Sequence, residues 1–422
     1  MEKNEASAGN IFAIATMFAL FFMIAFVTNF ATPMGVIAKN QFNASNALSQ
    51  LGNAANFIAY LFMGIPGGLI LKRKGYKFTA LTAVAVGFTG VGVQLLSGYI
   101  GSFPVYVAGA FIAGFSMCML NLVTNPLLNT LGGGGKKGNQ LVQFGCSLNS
   151  VGATLSPIVL GWLIGEITKD TAFIKAAPAL MIAMGIFAVA FVIVAFSRIP
   201  EPHMETAEEK AARLSGQTSV VKDIVETLKF RHFTFGALAI FFYIVIEVGV
   251  PAMGFNYMTE VGKPWYVGGA VAGAVCGAYW FLMMCGRILG GVVGGKVSSR
   301  VQVSFLATLG ICLLLAAMFV PVKMITLFGR EFPLSMAFMV AVGLCTSVMW
   351  GGIFNMAAEG LGKYVPMGSG IFMAMVFGGI LIPVQGFLAD KVGILSSYWL
   401  SIALLAYVLF YSLVLSIPAK RA

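Results

Sequence analysis

Residues 241–258 read FFYIVIEVGVPAMGFNYM, an apolar stretch long enough to cross a membrane that nevertheless contains an acid, Glu247. Glu247 lies more than a dozen residues from the polar flanks Arg231 and Glu260, or roughly 20 Å at the rise of an α-helix. An ionised carboxylate at that depth is costly, so by default it predicts a functional site. The structural alternative is a hydrogen bond to another helix.

The rest of the chain shares this apolar character. Of its 422 residues, 59% are hydrophobic and 10% are charged, whereas a soluble domain has about 25% charged residues. A membrane-spanning helix needs about 20 apolar residues. Twelve such runs predict an all-α integral membrane protein with twelve transmembrane helices, at residues 11–37, 47–71, 78–99, 104–131, 139–165, 175–197, 233–259, 266–295, 301–321, 333–361, 367–390 and 395–417.

A long hydrophilic stretch separates the first six runs from the last six. We predict an N-terminal six-helix bundle (1–198), a cytoplasmic linker (199–231) and a C-terminal six-helix bundle (232–422). The two halves share Gly and Pro positions in their fifth helices and Gly- and cation-rich turns after their second. Such repeats are typical of transporters that bind substrate between two bundles near the membrane midplane.

The basic residues fall mainly in alternate loops. With the N-terminus inside, 18 of the 26 Lys and Arg residues lie on the cytoplasmic side and seven on the other. Since cytoplasmic loops are enriched in Lys and Arg, both termini are expected to be cytoplasmic. One cation, Arg287, lies within a run, and we expect it to snorkel or pair near the cytoplasmic end rather than bind an anionic substrate.

Several function classes are excluded by the motifs. The sequence has no GxSxG, HExxH or Walker A pattern, and its six cysteines lie in apolar runs without CxxC spacing. We therefore expect no enzyme, no metal site, no cofactor and no nucleic-acid partner. Transport would be driven by an ion gradient, with H⁺ or Na⁺ as the coupling ion.

Polar side chains recur inside the apolar runs. Amides both donate and accept hydrogen bonds, which suits a sugar, although contacts between membrane helices use the same groups. We predict a sugar-binding cavity with Tyr279 and Trp350 facing the sugar ring and with hydrogen bonds from Asn29, Asn53, Asn56, Asn121, Asn125, Gln143, Asn149, Asn355 and Gln385.

Glu247 has two functional interpretations besides the structural one. Burial disfavours the charged form of a carboxyl group, so Glu247 is suited to take up and release a proton. An ionised carboxylate is equally a ligand for a hard cation such as Na⁺. The sequence leaves both open.

Several stretches resemble a known family. They are PGGLILKRKGYK (66–77), TNPLLNTLG (124–132), SLNSVGA (147–153), FYIVIEVG (242–249) and IFNMAAEGLGKYVPMGSGIFMAMVFGGILIPVQGFLADKVG (353–393). The chain resembles the major facilitator superfamily and, within it, the fucose–galactose–glucose permease group. The resemblance implies two six-helix bundles that move between outward- and inward-open states.

The resemblance also implies roles for individual residues. Fucose permeases have coupling acids in spans four and one, where this chain has Asn121 and Thr32, while the family's span-five Asn is kept as Asn149 and its span-ten aromatic as Trp350. Glu247 is thereby the leading coupling residue, with Thr32 at the other aligned position.

The sequence therefore predicts a monomeric inner-membrane transporter, surrounded by lipid, that imports a hexose or amino sugar by cation symport. A sugar uniporter on the same fold is the first alternative. A drug/proton antiporter is the second, and it would need a cavity dominated by apolar and aromatic groups. A membrane sensor would need a signalling domain, for which the linker and tails leave no room.

Overall fold

The computed structural model describes residues 2–28, 51–164, 177–215, 219–260, 262–267, 269–327 and 329–418. These residues are almost entirely helical. The helices are α1 Glu2–Thr28, α2 Leu51–Ile100, α3 Phe103–Leu131, α4 Gly135–Ile164, α5 Ala177–Phe196, α6 Ala207–Leu214, α7 Val220–Leu228, α8 Arg231–Met258, α9 Gly269–Gly294, α10 Ser299–Phe319, α11 Leu334–Thr346, α12 Met349–Ala358, α13 Val365–Ala374, α14 Ile382–Val392 and α15 Tyr398–Phe410.

Shorter elements connect or extend these helices. Two 3₁₀ segments, Gly362–Tyr364 and Met375–Leu381, flank α13, and a π-helical turn, Tyr411–Leu415, extends α15. The strands β1 Met324–Leu327 and β2 Arg330–Pro333 form an antiparallel hairpin. This hairpin was not predicted from the sequence.

Within the described residues, nine helical segments are long and apolar enough to span a membrane. The all-helical membrane fold is therefore confirmed, while the count of twelve helices and the side of the termini stay predictions. The second and third predicted spans form the single long element α2, which is broken at Gly75 (φ 85°). Positive φ is strained for residues that have a Cβ, so glycine is the residue suited to this break.

The described chain divides into two compact units that do not follow the two halves of the sequence. The first contains Met1–Gly133, Leu148–Lys229 and Gly360–Phe377, and the second contains Gly134–Ser147, Phe230–Glu359 and Gly378–Ala422. The expected bundle boundaries near residues 198 and 232 stay predictions. Within these units, the start of α4 packs with α8–α12, and α13 packs with α2.

Glycine contacts explain how α13 packs so closely on α2 in the first unit. A Cβ on Gly64 would lie 2.5 Å from the carbonyl oxygen of Gly370, and one on Gly68 would lie 2.6 Å from that of Pro366. Membrane helices associate through small residues because lipid offers no hydrophobic force between helices. Larger side chains at Gly64 or Gly68 would therefore separate α2 from α13.

The break at Gly75 is also where the hydrophilic segment after α5 attaches. The Glu201 carboxylate accepts hydrogen bonds from the backbone N–H groups of Tyr76 and Lys77, the latter at 2.9 Å. The Tyr76 hydroxyl lies 2.7 Å from His203 Nδ1. Glu201 therefore satisfies N–H groups at the start of the second half of α2, as a helix cap does.

Two further contacts fasten the same turn. The backbone N–H of Glu205 donates to the Lys72 carbonyl at 2.8 Å, and Lys72 Nζ lies 2.6 Å from the Asp223 carboxylate of α7. Ser219 caps α7 by accepting from the Lys222 N–H. The predicted linker thus contains two short helices, α6 and α7, that are held against the turn after the second predicted span.

Candidate substrate and coupling site

The predicted carboxylate in α8 forms an ion pair with the one cation predicted inside a span. Arg287 Nη2 of α9 lies 3.1 Å from Glu247 Oε1, and the two side chains are 10% and 13% exposed, respectively. Of the two expectations for Arg287, snorkelling or pairing, the structure shows pairing, with Glu247 as the partner. The attraction offsets part of the cost of placing each charge in an apolar unit.

Pro251 leaves a backbone acceptor beside this pair. Proline has no N–H, so the carbonyl of Glu247, four residues earlier in α8, lacks its usual intrahelical donor. The Tyr279 hydroxyl of α9 donates to that carbonyl at 3.1 Å, and it also lies 3.1 Å from Thr346 Oγ1. Tyr279, predicted to face a sugar ring, therefore fixes the backbone of α8 in this structure.

Aromatic groups lie one helical turn before Glu247. Tyr243 is fully buried and lies beside both members of the ion pair, Glu247 and Arg287. Its ring centroid lies 6.4 Å from that of Trp350, with the planes tilted by 57°. The predicted ring-stacking residue thus lies in the same unit as Glu247, next to an aromatic neighbour of the carboxylate.

Gln385 approaches α8 two residues after Glu247. Its Nε2 donates to Ser401 Oγ at 3.2 Å, while its Oε1 lacks a partner within the described chain. A Cβ on Gly249 would lie 2.6 Å from that Oε1. Gly249 therefore leaves the space that Gln385 occupies beside the helix that carries the acid.

The start of α4 contributes the remaining groups of this unit. Gln143 Nε2 donates to the Val348 carbonyl at 2.9 Å. Arg287 Nη1 lies 3.5 Å from the carbonyl of Cys146, and Arg287 Nε lies 3.4 Å from that of Ser347. Arg287 thus connects α8, α4 and the junction of α11 and α12.

Asn355 lies elsewhere in this unit. Its Nδ2 donates to Ser299 Oγ, at the first residue of α10, over 2.8 Å. Its contact with a sugar stays a prediction from the sequence.

The other predicted amides whose side chains the structure describes lie in the first unit. Asn121 Nδ2 donates to the Tyr60 hydroxyl at 3.0 Å, and Asn125 Nδ2 lies 3.2 Å from Asn121 Oδ1. Asn149 Nδ2 donates to the Phe21 carbonyl at 3.0 Å. Asn56 is half-buried where α2 meets Gly114 of α3.

Some predicted residues lie outside what the structure describes. Asn29 and Thr32 are outside the described residues, and only the backbone of Asn53 is described. Neither Tyr60 as a participant nor Glu247 as the partner of Arg287 was predicted from the sequence. Tyr60 gave no signal beyond its place in an apolar run, whereas Arg287 could have been paired with Glu247, because they are the two opposite charges predicted inside spans.

The comparisons with known proteins agree with this fold. The family model described as Major Facilitator Superfamily matches residues 14–382. The chain is similar to a glucose/galactose transporter of Brucella abortus, with 26% identity over 96% of this chain and 94% of the relative. It is also 22% identical to the L-fucose-proton symporter of Escherichia coli, covering 92% of this chain and 89% of that one.

The fold also matches a solved structure. The crystal structure of the Escherichia coli fucose:proton symporter FucP superposes with a TM-score of 0.81 at 17% identity, covering 96% of this chain and 98% of that one. The predicted resemblance is confirmed, and these relatives are transporters rather than enzymes, as expected. With a family model that covers most of its length, this multi-pass membrane chain belongs to the Major Facilitator Superfamily.

Proposed function

We propose that this protein imports a monosaccharide, a hexose or an amino sugar, across the inner membrane together with a proton, and that Glu247 carries the proton. The observation that supports this most is the ion pair between Glu247 and Arg287 in two apolar helices. Charges placed at such depth are expensive and generally mark transport pathways.

The ion pair favours a proton over sodium as the coupling ion. A sodium ion needs several oxygen ligands and would be repelled by the guanidinium 3.1 Å from the carboxylate. The guanidinium disfavours protonation of the carboxylate too, but a proton needs only one carboxylate oxygen, and its binding removes the attraction to Arg287. Binding and loss of that proton would break and remake one specific contact between α8 and α9.

A sugar as the substrate is supported by the relatives and by the chemistry of the polar residues. The relatives in Brucella abortus and Escherichia coli are named as glucose/galactose and L-fucose transporters. Amide groups are well suited to sugar hydroxyls, because each amide offers both donors and acceptors. We assign sugar binding to the predicted amides, with Trp350 as the stacking residue.

The coupling sequence follows from these roles. Glu247 takes up a proton from the outside, sugar binds, and the protein reorients by alternating access. Loss of the proton inside restores the negative charge of Glu247 and its attraction to Arg287. The sugar is released inside as well, the empty carrier then returns, and no step needs a nucleotide or a metal.

Transport by the purified protein in proteoliposomes tests this proposal. Uptake of labelled glucose, galactose, fucose and N-acetylglucosamine is measured with an inward pH gradient, an inward Na⁺ gradient, or neither. We expect accumulation of at least one sugar above the equilibrium level under the pH gradient alone. Accumulation under Na⁺ alone would refute the proton, and equilibration under every condition would identify a uniporter.

A further inference from the structure

Two buried amides on α4 have polar atoms without partners. Asn139 is 0% exposed, and neither its Nδ2 nor its Oδ1 has a hydrogen-bond partner among the described residues. Gln143, one turn later, is also 0% exposed and has an unpartnered Oε1 there. An orphaned buried amide is destabilising, so two in succession call for an explanation.

These amides lie on one stripe of α4 that leads to the ion pair. Residues 139, 143 and 146 are spaced by four and three, which places them on one helical face. The stripe covers about 10 Å along the axis. At the end of the stripe nearest the ion pair, the Cys146 carbonyl lies 3.5 Å from Arg287, which in turn contacts Glu247.

Glycines of α9 face this stripe. A Cβ on Gly294 would lie 3.3 Å from Asn139 Nδ2, and one on Gly290 would lie 3.9 Å from Gln143 Cδ. The amides therefore face a helix surface without side chains at these positions. At the end of the stripe farthest from the ion pair, the exposed Lys136 donates to the Lys296 carbonyl at 2.8 Å. This end lies on the side predicted to be cytoplasmic.

We propose that Asn139 and Gln143 hold a short chain of water molecules through which Glu247 releases its proton to the cytoplasm. This inference rests on the proposed proton symport. The O–H bond of protonated Glu247 breaks, its proton passes to the neighbouring water, and a proton leaves the last water at the cytoplasmic end. The carboxylate that remains pairs again with Arg287.

The chemistry of the stripe supports water as the carrier. Amides donate and accept, so each can hold a water molecule that also bonds to the next one. The groups that face Glu247 are Tyr243 of α8, Arg287 and Tyr279 of α9, and Cys146 of α4. Residues 136–146 and 287–296 contain no Asp, Glu or His, so no side-chain carboxylate or imidazole there relays the proton.

Two transport assays on full-length protein in proteoliposomes separate this role from a structural one. Counterflow exchanges labelled for unlabelled sugar and needs no proton release, whereas uptake driven by a pH gradient does. In Asn139→Leu we expect unchanged counterflow and a roughly tenfold slower driven uptake, if the barrier to proton release becomes limiting. Asn139→Ser, which keeps a polar group, is expected to restore driven uptake.

The matched control is Gln94→Leu, which removes a buried amide of the first unit and is expected to change neither assay. Driven uptake by Asn139→Leu at the wild-type rate would overturn the inference. So would an equal loss of counterflow and driven uptake, because that indicates a structural role. If wild-type uptake itself ignores the pH gradient, the proposed symport fails instead, which the same assays reveal before any variant is compared.

Discussion

Glu247 and Arg287 each place a charge that an apolar helix tolerates poorly, and each is explained by the other. Removing one partner of a buried pair generally destabilises a protein by about 3–5 kcal/mol, because the remaining charge is left without compensation. Replacing both partners with apolar groups is often neutral. The contribution of this pair to stability can therefore be measured separately from its contribution to transport.

The transport requirement is tested by Glu247→Gln. The amide keeps the shape of the side chain and cannot exchange a proton, so we expect sugar accumulation under a pH gradient to be lost while counterflow continues. Proteoliposome uptake measures both. The control is Glu226→Gln, which removes a half-buried carboxylate 2.5 Å from Lys229, and accumulation by Glu247→Gln at the wild-type level would contradict the coupling role.

The stability requirement is tested by a double-mutant cycle. Arg287→Met leaves the Glu247 carboxylate without its cation, and we expect a lower thermal unfolding temperature in detergent. The double variant Glu247→Leu/Arg287→Met is expected to unfold closer to the wild-type temperature. Additive losses in the double variant would mean that the two side chains stabilise the protein independently.

The sequence placed the acid within an apolar helix, as the structure does, but it did not predict how the charge is compensated. Glu247 was identifiable because a charge costs more the deeper it lies in hydrocarbon. Its depth follows from the number of residues between it and each end of the helix. Its contact with Arg287 depends on the packing of α8 against α9, which no single-helix pattern specifies. The same holds for Tyr279, which was predicted to face a sugar ring and whose hydroxyl donates to the Glu247 carbonyl.

The segments outside the predicted membrane spans are held by polar contacts. One of these contacts involves a titratable histidine, His203. Burial lowers the pKa of His203 from its ordinary value of 6.5. Burial raises the pKa of the neighbouring Glu201, and the N–H groups of Lys77 and Tyr76 partly offset this. Docking of this segment on Tyr76 therefore favours neutral His203.

A pH dependence follows for residues 199–206. The detached segment binds a proton on His203 more readily than the docked one, so the contribution of His203 to docking is present above pH 6.5 and lost as the pH falls through it. We expect hydrogen-exchange protection of 199–206 to decrease between about pH 7.5 and about pH 5.5. Glu201 acts in the opposite direction above its ordinary pKa.

The control is therefore a difference between two proteins. His203→Gln keeps a polar side chain and removes the titration, while Glu201 is unchanged. The part of the pH dependence that is absent from His203→Gln belongs to His203. Identical pH profiles for both proteins would contradict the assignment.

Element boundaries were predictable where apolar composition decides them. The predicted run 104–131 corresponds to α3, Phe103–Leu131, and the run 233–259 to α8, Arg231–Met258. Interruptions were less predictable. The passage from α11 to α12 and the 3₁₀ segment before α14 depend on backbone hydrogen bonding within apolar sequence, where hydropathy does not change.

The orientation of the whole molecule in the membrane is predicted by its distribution of Lys and Arg. The excess of Lys and Arg places Lys137 inside and Lys263 outside, and both residues are exposed. In intact cells, a membrane-impermeant maleimide is expected to label Lys263→Cys and spare Lys137→Cys, with the wild type as the control for the native cysteines. The reverse pattern would invert the predicted topology.

Helix α9 has a mechanical role that follows from the missing N–H of Pro251. A helix that lacks one intrahelical hydrogen bond bends more easily there. The replacement hydrogen bond comes from Tyr279, which lies eight residues before Arg287 on α9. α9 therefore holds α8 at two points, by a hydrogen bond to the α8 backbone and by the ion pair. Any shift of α9 along α8 strains both at once, so the stiffness of α8 and the charge state of Glu247 change together.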